Sequence, residues 1–250
     1  MTTLPSLIRG DALDAELGAL LWMLVEGRTS VLALGPSSVR RTEVLDALFH
    51  LRPDDLRATS MAVIGPDDLW GGQLVEALHS VRATDGFAAT MAADSLREAL
   101  EQLSGPGVGL TEEELRVLGL VVVLDEEGRL SAAHLLRPVE RDMAGHLQRR
   151  PPAVLSARDP TTGQLEHFAW GAMPEIADRV DREQADMERR LAARAGLLSE
   201  LAADGDGDAP LVRERMAQHI RDEPPRVAAP ERPPARDAWP APPGQDTHTH

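Results

Sequence analysis

The sequence predicts an α/β domain of three layers, with antiparallel additions and a C-terminal helix. Two observations lead there: short apolar runs alternate with helical stretches along the N-terminal half, and later runs fold back through turn sequences before a long helical stretch. With 250 residues, 42% of them hydrophobic, the chain can bury a substantial core.

Taken in order, Asp14 to Glu26 reads as a helix with Asp14 as N-cap, Gly27 as stop, and Leu13, Leu17, Leu20, Leu21 and Leu24 on one face. The run Ser30 to Leu34 is a strand; Gly35-Pro36-Ser37-Ser38-Val39 is a turn, and Arg41 to Leu51 a helix. A second unit follows, with Met61 to Ile64 as a buried strand, Gly65-Pro66 as a turn and Asp67 to Val81 as a helix. A third has strand Phe87 to Met91 and helix Ser95 to Leu103. Thr111 and Glu114 form a capping box before Leu120 to Leu124, an apolar run that suits a strand buried on both faces. Leu130 to Leu136 is an antiparallel return, and Ala153 to Trp170 a hairpin turning at Asp159-Pro160-Thr161-Thr162-Gly163. Met187, Leu191, Ala195, Leu198 and Ala202 keep helical spacing within Ile176 to Ala202, with arginines and acids on the opposite face. The folded domain is expected to span residues 1–203. Residues 204–250, acidic and then Pro-rich, are expected to be a disordered tail with at most a short helix around Leu211 to Ile220.

Composition excludes several functions. All 26 basic residues are arginine, and 41 acids give a net charge of -15, which repels nucleic acid and anionic membranes. The lysine-free, tyrosine-free composition fits adaptation to high salt or a GC-rich genome. Without cysteine there is no disulfide, thiolate metal site or cysteine nucleophile. The start lacks the pattern of a signal peptide, and no apolar run approaches the ~18 residues of a membrane span, so a cytoplasmic location is expected.

One motif bears on chemistry. A phosphate-binding loop needs glycines that let backbone N–H groups wrap the phosphates, a lysine for the terminal phosphates and a Ser or Thr for magnesium. Gly35 to Thr42, GPSSVRRT, has that length and position but matches only at Gly35 and Thr42. Arg40 replaces the second glycine and Arg41 the lysine, and a guanidinium fork is not equivalent to a compact ammonium. Taken alone, the segment reads as an ordinary strand-to-helix turn rather than a phosphate loop.

The wider arrangement resembles a known family. GDALDAELGALLWMLVEGRTSVLALGPSS is similar to the lead-in to the phosphate loop of the type II and type IV secretion ATPases, above all the archaeal branch that drives pilus and archaellum assembly. FAATMAADS resembles that family's histidine-box strand, GVGLTEEELRVLGLVVVL its following helix and strand, and DPTTGQLEHFAW its Asp-Pro-x-Thr-Gly hairpin. The helix around Met187 to Leu201 is similar to its Arg-rich terminal helix, so the likeness runs in order from about Leu7 to Leu201. It implies a RecA-like fold of the P-loop NTPase type and assembly into a ring.

The departures fall on the chemistry. Arg41 stands at the lysine position, Pro66 follows Gly65 where the family carries a glutamate, and Ala92 stands at the histidine position, near Asp94. The stretch from Thr42 to Met61, with Asp54 and Asp55, is too short for the family's acidic box. Gly35, Pro36, Ser37, Ser38, Arg40, Arg41 and Thr42 are therefore expected as a remnant of a nucleotide site, without catalytic residues, metal or required cofactor. The expected partner is an active homologue or its membrane platform protein, in a ring or hetero-oligomer. The alternatives are an ATPase that uses ATP and Mg with Arg41, Thr42 and groups from a partner chain, and a module that binds nucleotide without hydrolysis.

Other signals are weaker. Asp204, Asp206 and Asp208 alternate like a calcium loop, but Ala209 and Arg215 replace the required Gly and Glu. The histidines show no zinc-protease spacing, and no Gly-x-Ser-x-Gly elbow occurs. The Pro-rich tail suits either a tether or a segment that binds a groove.

Overall fold

The computed structural model describes residues 2–49, 61–80, 86–138, 140–141, 147–148, 150–205, 209–225 and 227–228. Its helices are α1 (Leu4–Arg9), α2 (Ala15–Glu26), α3 (Ser38–Phe49), α4 (Gly71–Ser80), α5 (Leu96–Ser104), α6 (Glu112–Leu115), α7 (Met173–Arg179), α8 (Gln184–Ala203) and α9 (Ala209–Asp222). The strands are β1 (Val31–Leu34), β2 (Ala62–Ile64), β3 (Ala88–Met91), β4 (Leu120–Leu124), β5 (Leu130–Leu135), β6 (Glu140–Arg141), β7 (Leu147–Gln148), β8 (Ala153–Arg158) and β9 (Leu165–His167). Seven of them form one mixed sheet in the order β2-β3-β1-β4-β5-β8-β9, and β6 and β7 pair as a separate ribbon. The first four run parallel, and β5, β8 and β9 extend the sheet antiparallel. The chain is thus α/β, with the antiparallel return and hairpin where the sequence expects them.

Alternation along the strands sorts side chains onto two faces. Val31, Ala33, Leu120 and Val122 point into the larger core with α1, α2, α3, α7, α8 and α9. Leu32, Leu34, Val121 and Val123 point into a second core under α4, α5 and α6. The β4 run is apolar at every position because both faces are covered there. Helix α2 is buried from Leu17 through Val25, so more than the expected face is covered. The reason is that α8 and α9 close over it, with Leu198, Val212 and Met216 in the same core. Each large side chain buried in this way stabilises the fold by about 1.5–3 kcal/mol.

The structure corrects six local expectations. Helix α3 starts at Ser38 rather than Arg41. Strand β2 lies at the sheet edge, so only Ile64 is buried. Helix α4 starts at Gly71 rather than Asp67, because Asp68 N donates to Gly65 O, Leu69 N donates to Val63 O, and Leu69 bridges to Ile64. The helix expected over Ile176 to Ala202 is broken between α7 and α8, where Asp181 takes φ of 52°. Its arginines and acids are not all outward, for Asp186, Arg190 and Arg194 are buried. The helix expected around Leu211 to Ile220 runs over Ala209–Asp222 and packs against the core instead of hanging in a tail. Leu51, Val81, Asp54 and Asp55 fall outside the described residues.

A polar clasp ties the last strand of the sheet to the first long helix. Asp14 Oδ1 caps α2 by accepting from Leu17 N at 2.9 Å, and Oδ2 meets His167 Nε2 at 2.8 Å. Burial works against the Asp14 carboxylate, but the His167 contact and the Leu17 amide outweigh it and lower its pKa. The Asp14 contact in turn raises that of His167, against a smaller effect of burial. A lowered carboxyl stabilises the fold above its unfolded pKa of about 3.9, and a raised imidazole does so below about 6.5. The stability lost in His167→Ala is therefore expected to be greatest near pH 5 and to shrink toward pH 8, as denaturant titrations at the two pH values would show.

Candidate functional site at the strand ends

In an open parallel sheet, ligands bind beyond the carboxyl ends of strands, where successive helices leave to opposite faces. Here that point lies between β1 and β3. Helix α3, after β1, packs Val44, Leu45 and Leu48 into the larger core, whereas α5, after β3, packs Ala99 and Leu103 into the second. The turn at Gly35 thus opens beside the segment carrying Ala92 and Asp94, and Gly65 and Pro66 lie at the end of β2, one strand further out. The expected positions therefore share one end of the sheet, although β3 separates Gly65 and Pro66 from the turn.

The turn itself has a close-fitting geometry. Gly35 takes φ of 144°, and a Cβ there would lie 3.0 Å from both Cβ and O of Leu124. Its glycine is thus explained by the close approach of β4. Ser37 precedes the helix, its Oγ accepting from Arg40 N at 3.4 Å and its carbonyl accepting from Arg41 N at 3.1 Å. Pro36 and Ser38 are exposed.

Arg41 decides what this turn can hold. Its side chain folds back into the protein, leaving the residue 4% exposed, and Nη1 donates to the carbonyl of Gly35. Burial lowers its pKa from the usual arginine value, and Nε is buried without a hydrogen-bond partner. The guanidinium is directed at the turn's own carbonyl instead of outward to a phosphate. Thr42 Oγ1 donates to Ser38 O at 3.0 Å, and Arg40 Nη1 pairs with Glu43 at 2.7 Å. No protein-family model and no curated protein matches the chain.

The end of the sheet that carries the turn is rich in carboxylates. Asp67 and Asp68 follow β2, Asp94 follows β3, and Asp125, Glu126 and Glu127 follow β4, all at the same end of the sheet. Arg129 binds Asp125 at 2.9 Å and Glu127 at 3.3 Å, and Glu98 accepts from Asp94 N at 2.8 Å. Among the described residues, no three His, Asp or Glu side chains come together in a group that could hold a metal ion. No helix among them is long and apolar enough to cross a membrane.

A second polar constellation was not anticipated from the sequence. Arg182, Asp186, Arg190 and Arg194 stand four residues apart, so they stack along one side of the turn into α8 and that helix. Asp186 accepts from Arg182 and Arg190 at 3.2 and 2.9 Å, and Arg194 binds Glu26 of α2 and Glu223 beyond α9. The Arg194 guanidinium carbon also lies 4.5 Å from the centre of the Trp22 ring. Burial opposes the charges of Asp186 and Glu223, but their arginine partners outweigh it and lower both pKa values. A cleft of about 350 Å³ opens beside Arg190, His219 and Glu223. The Arg190 guanidinium there is already bonded to Asp186, Glu223 and the Pro224 carbonyl, which makes this a structural clamp across α2, α8 and α9. Its signal in the sequence was the four-residue spacing of Arg and Asp.

Proposed function

We propose that this chain is a RecA-like, non-catalytic relative of the type II and type IV secretion ATPases that acts through its surfaces on an active homologue or that homologue's membrane platform. One observation carries the reading: the arginine standing where a phosphate loop has its lysine is buried and bonded to the carbonyl of Gly35. The central position of β1, with helices leaving β1 and β3 on opposite faces, supports an origin as a nucleotide-binding fold. The alanine and proline at the expected histidine and glutamate positions support loss of hydrolysis, because those positions offer no carboxylate or imidazole to orient water. The order of the segments that resemble the family supports assembly with a related subunit as the role proposed for the chain.

Steady-state ATPase assays test this directly. The purified chain alone is expected to show no turnover above background. Added to an active secretion-type ATPase from the same organism, it is expected to change that enzyme's rate about fivefold or more, the lower end of ordinary coupling energies. Turnover by the chain alone that Arg41→Ala abolishes would refute the reading.

A further inference from the structure

The helical layer over the second core stops short of the sheet's antiparallel half. Helices α4, α5 and α6 cover the parallel strands, whereas β8 and β9 contribute apolar side chains to the larger core only. At that border a cleft of about 370 Å³ is lined by Leu96, Leu100, Leu115 and Pro152, with Arg97 and Glu101 beside them. Helix α5 turns Ala99 and Leu103 inward and leaves Leu96 and Leu100 only partly covered at the edge of the layer. Val154 is 39% exposed and pairs with His134, which pairs with Val121 of the second core, so it stands on the same face of the sheet as the cleft.

The two charges at this cleft have no match within their own chain. Arg97 and Glu101 are exposed and stand one helical turn apart, yet neither side chain forms a hydrogen bond or ion pair among the described residues. Neighbouring acids are engaged elsewhere. Glu98 accepts from Asp94 N and Gln102 Nε2, Glu112 pairs with Arg116, and Glu114 is held by Thr111 and His79.

We infer that the cleft is a self-association surface, on which a second copy of the chain packs its α5 antiparallel to the first about a two-fold axis. Four residues span ~6 Å along a helix at ~1.5 Å per residue. An axis at the level of Ala99 sets Arg97 of each copy opposite Glu101 of the other, so two ion pairs form from one pair of residues. Leu96 and Leu100 share that four-residue spacing, and the same axis brings Leu96 of one copy within ~3 Å of the level of Leu100 of the other, two residues' rise. The leucines of each copy then fill the cleft beside the other's α5, against Leu115 and Pro152. Two chains of net charge -15 repel each other, and they approach most readily where an arginine of each faces an acid of the other. An unrelated partner would have to supply this spacing of acid and arginine, whereas a second copy has it by symmetry. A contact built on one short helix and its border is small, so the dissociation constant is expected on the order of 10 μM. This inference is independent of the nucleotide turn and stands whether or not that turn binds ATP.

Sedimentation velocity of the full chain between ~1 and ~100 μM, a range that brackets such a weak contact, tests it. The wild-type chain is expected to pass from monomer to dimer across that range. Arg97→Glu and Glu101→Arg, both at exposed positions, should each weaken the dimer about tenfold or more, because like charges then face each other at both pairs. An equimolar mixture of the two variants should dimerise as the wild type does, since an acidic rim then meets a basic one. The double variant Arg97→Glu, Glu101→Arg should dimerise by itself. A wild-type chain that stays monomeric would overturn the inference, as would a dimer indifferent to either reversal. Variants that remain apart when mixed would also overturn it, because the loss would then not come from facing charges.

Discussion

Replacing Arg194 by alanine is expected to cost about 3–5 kcal/mol, the range for removing one partner of a buried ion pair. The side chain has no exposed surface and binds Glu26 on α2 and Glu223 beyond α9 while lying against Trp22. Its loss leaves Glu26 with Arg182 at 3.5 Å and Glu223 with Arg190, both arginines already shared with Asp186. It also strips the cation from a ring whose Nε1 is already buried without a partner. By contrast, the exposed pair of Arg221 and Glu214 contributes about 0–1 kcal/mol, since water solvates both groups as well as they solvate each other. Urea unfolding of the two single variants measures the difference. A combined Arg194→Met, Glu26→Gln variant should recover part of the loss, because it leaves Arg182 and Arg190 balanced by Asp186 and Glu223. A loss under about 1 kcal/mol for Arg194→Ala would mean that α9 is not clamped through this residue.

The second large effect is expected at Gly119, which enters β4 with φ of 61°. A Cβ at this position would lie 2.7 Å from Arg179 Nη1, 2.9 Å from Thr29 Cγ2 and 3.1 Å from the carbonyl of Ser30. The backbone conformation costs a non-glycine residue about 1–3 kcal/mol. The crowding adds a further ~1–3 kcal/mol, because the Ser30 carbonyl belongs to a loop tied to Leu120 N at 2.8 Å and cannot withdraw freely. Gly163→Ala separates the two costs: φ is 72° there and nothing lies within 4 Å of the added atom. Gly119→Ala should therefore lower the melting temperature clearly more than Gly163→Ala, and equal shifts would show that the crowding is relieved without cost.

These sites also mark what the sequence could and could not reveal. The β4 run, the Thr111 capping box and the stop at Gly27 were legible because each rests on local chemistry, and all three occur where expected. The start of α4 was not. Asp67 and Asp68 look like helix caps, but the bridge from Leu69 to Ile64 holds that stretch against the sheet, and a tertiary contact leaves no local trace. The break before α8 was hidden for a related reason, since it uses Asp181 in a left-handed conformation with no glycine or proline to announce it. Arginines on α8 read as a solvated face until α9 is known to cover them. At the candidate site the position of the turn was legible from strand, small residues and helix in succession. The inward fold of Arg41 was not, because spacing says nothing about which way a long side chain turns.

The central claim is that Arg41 closes the turn from within, and a thermal melt with and without magnesium-ATP tests it most directly. A site with a dissociation constant of about 10 μM, given ~1 mM nucleotide, would stabilise the native state by ~2.7 kcal/mol. For a chain of this size that is a rise of roughly 5–11 °C. The account predicts no rise for the wild-type protein. A rise of that size that disappears in Arg41→Ala would contradict it.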